Sequence, residues 1–152
     1  MQQNFGSAAE ILDFAIKREE EAYEFYTDLA AKIERPEMQG IFRQFAEEER
    51  GHKAKLQGIK KGKTLLPAEK AVADLKIADY VVADEPSGDM TYQKAIVLAM
   101  KKEKAAFKIY SDLARTAPSS ELKSLFEGLA QEEARHKLRF ELEYDSVVMG
   151  EN

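Results

Sequence analysis

The sequence predicts an all-α fold, a bundle of four helices arranged as two similar hairpins. Strong helix formers dominate four long segments, and Pro, Gly and Ser stop signals separate them. Within these segments apolar residues recur at alternating steps of four and three, which is the spacing of a bundle-facing seam. The second pair of segments also repeats the first with a shift of 84 residues, so the bundle should consist of two duplicated hairpins.

Size and composition limit what the protein can be. A chain of 152 residues with 44% hydrophobic residues can form one substantial core, so we expect a single domain over residues 1–152. The absence of cysteine excludes disulfides, thiolate zinc sites and cysteine-ligated iron–sulfur clusters. Any metal must therefore be held by carboxylates and by the two histidines of the chain.

Charge and hydropathy argue against binding to nucleic acid or to a membrane. The formal net charge is −5, and the lysines are interspersed with acids rather than gathered on one predicted face. No apolar segment approaches the roughly 18 residues of a membrane span, and the N-terminal segment lacks a basic region followed by an apolar run. We expect a soluble, cytoplasmic protein.

The first hairpin is expected over residues 7–61. An S-x-x-E capping box, Ser7 with Glu10, opens a first helix that runs to about Ile33. The segment ERPE ends this helix, and Pro36 suits the first turn of the second helix. These signals place the turn of the hairpin close to Pro36.

The second hairpin is expected over residues 89–148. Its first helix should start near residues 89–91, after the stop signal DEPSG. The segment TAPSSE separates it from the fourth helix, which Ser119 or Ser120 caps and which ends near Val148. We predict no strand in the chain.

Residues 62–88 form a crossover that is long for a connection inside a compact bundle. A connection of this length can carry the chain along the whole bundle, which would make the second and third helices parallel. The apolar spacing in VADLKIADYVV predicts that the crossover is partly helical and packed.

Polar residues interrupt the apolar seams at one height only, near the middle of each helix. Both members of each Glu-x-x-His pair match across the repeat, in EEERGH and QEEARH, and a seam glutamate matches in the other helix of each hairpin. Acidic residues are almost never fully buried unless paired, so six such positions at matching heights indicate one shared site rather than six solvated side chains. The six are Glu19, Glu49, His52, Glu103, Glu133 and His136.

An alternative choice of glutamate stays open at this stage. Glu48 and Glu132 stand four residues before the histidines, so an E-x-x-x-H pattern fits the spacing as well, although the seam favours Glu49 and Glu133.

Four buried carboxylates would repel one another or take up protons, whereas two divalent cations would neutralise them. Carboxylates with neutral imidazoles suit iron or manganese, and zinc or cobalt can substitute. A structural polar network is the other interpretation, although the seams contain no evident cation.

The motifs AIKREEEAYEFY, EEERGH, AMKKEKAAFKIY and QEEARH resemble the rubrerythrin-like branch of the ferritin-like di-iron carboxylate proteins. The resemblance covers nearly the whole chain and implies a ferritin-like four-helix bundle with two iron ions. It also implies a role for each site residue: Glu49 and Glu133 bridge the metals, Glu19 and Glu103 are terminal ligands, His52 and His136 each complete one metal, and Tyr26 and Tyr110 orient ligands by hydrogen bonds or fill the core.

Two departures separate this sequence from rubrerythrins proper. Those proteins carry a cysteine-ligated rubredoxin-like iron domain that delivers electrons, and this chain has neither the length nor any cysteine for it. They also carry an additional carboxylate one turn after the terminal glutamate of the third helix, where this sequence has Ala106. The simpler six-ligand site puts rubrerythrin-type peroxide turnover in doubt.

The resemblance implies an oxidoreductase that reacts with hydrogen peroxide or dioxygen, in peroxide detoxification or ferrous iron oxidation. An external protein would supply electrons, and the resemblance is compatible with a homodimer. Two alternatives stay open: a bundle that binds or stores iron, manganese or zinc without turnover, and a structural helical protein whose glutamates are protonated.

Overall fold

The computed structural model describes residues 2–5, 8–62, 73–76 and 91–150. It contains four long helices, α1 (Ala8–Lys32), α2 (Pro36–Gly62), α3 (Tyr92–Arg115) and α4 (Ser120–Gly150), and two short strands, β1 (Gln2–Phe5) and β2 (Ala73–Lys76). The predicted all-α, ferritin-like four-helix bundle is confirmed. No helix within the described ranges combines the length and apolar character that crossing a membrane requires.

Side-chain caps start both helices of the second hairpin. The Thr91 hydroxyl accepts a hydrogen bond from the backbone N–H of Lys94 at 3.2 Å, and the Ser119 hydroxyl accepts one from the N–H of Leu122 at 3.2 Å. Each bond satisfies one of the N–H groups that the first turn of a helix leaves unpaired. Ser7, the predicted cap of the first helix, lies outside the described residues.

The prediction that the chain has no strand is wrong. Strands β1 and β2 pair antiparallel, with Gln2 opposite Lys76 and Phe5 opposite Ala73. Residues 73–76 of the crossover are therefore extended rather than helical, and the rest of the crossover lies outside the described residues. Four-residue strands are too short for a clear alternating pattern, and strand pairing depends on a distant partner that local spacing does not reveal.

The core divides into two clusters. The first core cluster joins the start of α1, the end of α2, the end of α3 and the start of α4, with members that include Ile11, Leu12, Leu56, Tyr110, Leu113, Leu122 and Phe126. The second core cluster joins the other ends of the same helices, with members that include Tyr26, Leu29, Met38, Phe42, Ile96, Ala99 and Phe140.

These clusters fix the directions of the helices. Because α1 and α4 both begin in the first core cluster while α2 and α3 both end there, α2 and α3 are parallel, as predicted. Helix α1 packs chiefly on α2, and α3 packs chiefly on α4. The connection from α2 to α3 must therefore return along the bundle, and the space between the two clusters is the middle of all four helices.

Candidate metal centre

The six polar seam residues lie together between the two core clusters. Each of the four helices contributes to the group, and the residues are only 1% to 8% exposed. The structure thus brings all six sequence-predicted candidates into one buried site: Glu19, Glu49, His52, Glu103, Glu133 and His136. Burying charged and polar side chains costs free energy, so a group that pairs with them must offset this cost.

The six side chains form two overlapping groups, in each of which the potential ligand atoms lie within 4.8 Å of one another. The first group is Glu19, Glu49, His52 and Glu133, and the second is Glu49, Glu103, Glu133 and His136. Glu49 and Glu133 belong to both. Two ions lying side by side and sharing two carboxylates would have this arrangement of ligands.

Each of the six residues also has one buried polar atom without a hydrogen-bond partner in the described part of the chain. His52 Nδ1 lies 3.1 Å from Glu49 Oε1, but neither atom has the geometry of a hydrogen bond. Buried polar atoms are paired in the great majority of cases, so six unpaired ones in a single site fit bound metal. The atoms are Glu19 Oε2, Glu49 Oε1, His52 Nδ1, Glu103 Oε2, Glu133 Oε1 and His136 Nδ1.

Two buried tyrosines hold the other oxygens of Glu19 and Glu103, the glutamates that belong to one ligand group each. The Tyr26 hydroxyl donates to Glu103 Oε1, and the Tyr110 hydroxyl donates to Glu19 Oε1. Both bonds cross from one hairpin to the other, and each leaves the Oε2 atom of its glutamate without a partner. The tyrosines therefore orient the carboxylates toward the site as well as filling the core.

Glu48 and Glu132 contact the outer nitrogens of the two histidines. Glu132 pairs with His52 Nε2, and Glu48 Oε2 lies 3.5 Å from His136 Nε2. Neither glutamate belongs to the two candidate ligand groups, so the structure favours E-x-x-H over E-x-x-x-H. A carboxylate at the outer nitrogen turns the inner Nδ1 toward the cluster. The sequence argument missed this role, although the matched positions of Glu48 and Glu132 beside the seam could have indicated it.

Without metal, the cluster retains protons. Burial, and after it the charge of neighbouring carboxylates, raises the pKa of Glu49 to about 7 and raises the pKa of Glu133 well above its usual range. Burial by itself would lower the pKa of each histidine, but adjacent glutamates raise it to about 11 for His52 and about 8 for His136. Since ligands must be deprotonated to bind, metal binding would release these protons.

We expect the metal-free protein to lose stability as the pH rises from about 5 to 8. The folded pKa values of Glu49 and His136 exceed their unfolded values, so the folded state holds more protons there, and this stabilisation disappears as the pH rises through the folded values. A loss of about 1 kcal/mol lowers Tm by roughly 2–4 °C, and the two shifts together allow a loss several times that size. Thermal denaturation of chelator-treated protein at fixed ionic strength measures this change, and a stability that rose over the interval would contradict it.

Removing either tyrosine hydroxyl is expected to weaken metal binding. In the Tyr26→Phe variant a buried oxygen of Glu103 loses its donor, so affinity for one metal should fall by about tenfold. Tyr110→Phe should act in the same way through Glu19. Zinc titration in competition with a chromophoric chelator measures the change. Tyr23→Phe, at a half-buried position of the same helix, is the control, and an equal loss there would contradict a specific role.

The fold and the buried glutamate–histidine cluster define a ferritin-like four-helix bundle that fits a metal site. Residues 10–144 match the Rubrerythrin family, and the chain belongs to that family. It is also similar to the solved structure of a hypothetical protein from Pyrococcus furiosus, with 30% sequence identity and a TM-score of 0.67 over 92% of this chain and 89% of that chain. No curated protein matches the chain.

Proposed function

We propose that the protein is a non-haem di-iron oxidoreductase that reacts with hydrogen peroxide or dioxygen, in peroxide detoxification or ferrous iron oxidation. The observation that carries this proposal is the set of six buried ligand atoms without partners, arranged in two overlapping groups. Membership of the Rubrerythrin family supports iron as the metal. Two divalent ions would also balance the charge of four carboxylates, which a site without metal achieves only by holding protons.

Each group of ligands would hold one ion. Glu49 and Glu133 are shared by the groups, while one glutamate and one histidine belong to each group alone. When bound, an iron pair supplies the two electrons that reduce an oxygen–oxygen bond. The residues of the chain position that pair: Tyr26 and Tyr110 hold the terminal carboxylates, and the two core clusters restrict water. We propose that a separate protein returns electrons to the site.

A metal-binding or storage bundle without turnover is the second candidate. Its support is the simple ligand set, in which Ala106 stands where rubrerythrins carry an additional carboxylate. The same buried atoms would then hold iron, manganese or zinc without redox cycling. Binding is common to both candidates, so only a test of oxidation separates them.

Anaerobic loading with ferrous iron tests the proposal. Metal-free protein is loaded, the iron per chain is measured, and the sample is mixed with peroxide or dioxygen while the absorption of oxo-bridged ferric iron is followed. We expect about two irons per chain and rapid oxidation that is faster with peroxide. Stoichiometric binding without oxidation would favour the storage role. An absence of specific binding would contradict both roles and leave a structural bundle with protonated glutamates.

A further inference from the structure

A cavity of about 250 Å³ lies between α1 and α3 and reaches the candidate metal centre. Its inner end is formed by the carboxylates and tyrosines of the site, namely Glu19, Glu49, Glu103, Glu133, Tyr26 and Tyr110. The histidines belong to the other two helices, α2 and α4. Any molecule in the cavity would therefore approach the metals from the side opposite the histidines.

The opening of the cavity lies at the height of the glutamates. Ala22 and Ala106 occupy equivalent seam positions of α1 and α3, and both are half-buried rather than buried. Their seam neighbours Glu19 and Tyr26, on either side along α1, are only 2% and 1% exposed. The short alanine side chains thus leave a gap at one level of an otherwise closed seam.

The rim of the opening is charged. Arg18 and Lys102 stand at equivalent positions of the repeat and both border the cavity. The Arg18 guanidinium lies 3.4 Å from Glu21, and the Lys102 ammonium lies 4.9 Å from the centre of the Phe25 ring. Long charged side chains keep their heads in water while their stems cover apolar surface. The rim therefore stays hydrated and accessible to a solute.

The walls between rim and site are largely apolar. They are formed by three alanines and by one larger apolar side chain from each helix, namely Ala22, Ala105, Ala106, Phe25 and Ile109. Along these walls a water molecule or a second peroxide would lose hydrogen bonds, whereas a hydrocarbon group would gain favourable burial. The walls therefore favour the organic part of a substrate over further solvent.

The volume of the cavity exceeds what hydrogen peroxide or dioxygen requires. A water molecule takes about 30 Å³ in the liquid, so a two-oxygen substrate occupies only a small part of the 250 Å³. The part of the cavity beyond the carboxylates, where metal would lie, leaves room for a compact organic group.

We propose that the cavity binds the organic group of a hydroperoxide ROOH while its oxygen–oxygen bond meets the metal centre. This proposal rests on the proposed function, since it names the substrate class of the same site. Reduction breaks the oxygen–oxygen bond and yields ROH and water, with uptake of two protons and of two electrons from a ferrous iron pair, which becomes diferric. The apolar walls favour an apolar group R, and the small side chain of Ala106 leaves the space that this group occupies.

Single-turnover kinetics test the substrate class. Diferrous protein is mixed anaerobically with cumene hydroperoxide, tert-butyl hydroperoxide or hydrogen peroxide. We expect oxidation by cumene hydroperoxide to be at least about tenfold faster than by tert-butyl hydroperoxide, because its ring fills the cavity. Ala106→Leu should slow the reaction with cumene hydroperoxide by at least about tenfold and change that with hydrogen peroxide by less than about twofold. Equal effects on both peroxides would overturn the proposal.

Further variants keep this test specific. Ala22→Val narrows the opening from the other helix and should act in the same direction if Ala106→Leu folds poorly. Ala54→Leu adds the same bulk as Ala106→Leu at an exposed position of α2 outside the cavity lining, so it should leave all rates unchanged. A comparable slowing in the Ala54→Leu control would overturn the proposal.

A binding measurement that needs no redox chemistry separates failure of this proposal from failure of the proposed function. Zinc-loaded protein is titrated with 2-phenyl-2-propanol, the alcohol product of cumene hydroperoxide, and binding is followed by NMR. We expect saturable binding that Ala106→Leu weakens by at least about tenfold and Ala54→Leu does not change. If hydrogen peroxide oxidises the iron but the alcohol does not bind, this proposal is wrong and the proposed function stands. If the alcohol binds but no peroxide oxidises the iron, the proposed oxidoreductase function and the proposed reduction of hydroperoxides are both wrong.

Discussion

Changing both Glu49 and Glu133 to alanine is expected to abolish binding of the two metal ions that we propose. These carboxylates are the two that the ligand groups share, so each group would keep only one glutamate and one histidine. Iron per chain should fall from about two to near zero, and the thermal stabilisation that metal gives should disappear. Elemental analysis after gel filtration and thermal denaturation with and without metal measure these changes. Binding that survived would contradict the assignment of the shared carboxylates.

Isosteric variants separate a ligand role from a structural role. Glu49→Gln with Glu133→Gln removes the buried charges and keeps the shape of the side chains, so the metal-free variant should be at least as stable as the metal-free parent near pH 8. A structural polar network would instead lose stability when its members are changed. The matched control is Glu47→Ala with Glu127→Ala, which removes two charges from exposed positions of the same helices and should leave metal binding intact.

The six candidate ligands could be identified from sequence because two independent patterns agree on them. Helical spacing places Glu49 in a stripe that is otherwise apolar, and the repeat finds Glu133 at the equivalent position. Either pattern alone is weak, since glutamates are common on helices. Together they describe side chains that folding must bury, and burial of Glu49 to 1% exposure and Glu133 to 1% follows from the closing of the seams.

Helical spacing and the internal repeat did not predict the contacts between the two hairpins. Spacing along α1 does not reveal that Tyr26 donates to Glu103 on α3 rather than to a residue of its own helix. The role of Glu132 depends in the same way on the angle at which α4 faces α2, which brings it to His52. Seam spacing also predicts burial for Ala22 and Ala106, yet their small size opens a cavity that only the packed helices reveal.

Glu132→Ala is expected to weaken binding of one metal by about 10–100-fold and to change the other much less. Its carboxylate contacts His52 Nε2, so its loss frees the imidazole to rotate and directs Nδ1 less firmly to the first ligand group. The side chain is 41% exposed, and the metal-free protein should fold normally without it. Stepwise titration with cobalt, whose absorption reports on coordination, measures the two binding steps separately.

Glu48→Ala provides the comparison, because it acts on the other histidine. Its oxygen lies 3.5 Å from His136 Nε2, which is long for a hydrogen bond. Its loss should therefore lower the affinity for the second metal by less than Glu132→Ala lowers the affinity for the first. Glu47→Ala, one residue earlier and exposed, should leave both binding steps unchanged. Only a contact with a single imidazole can lower the affinity for one ion and not for the other. If Glu132→Ala lowered the affinity for both ions equally, its effect would come from the loss of a nearby charge rather than from the orientation of His52.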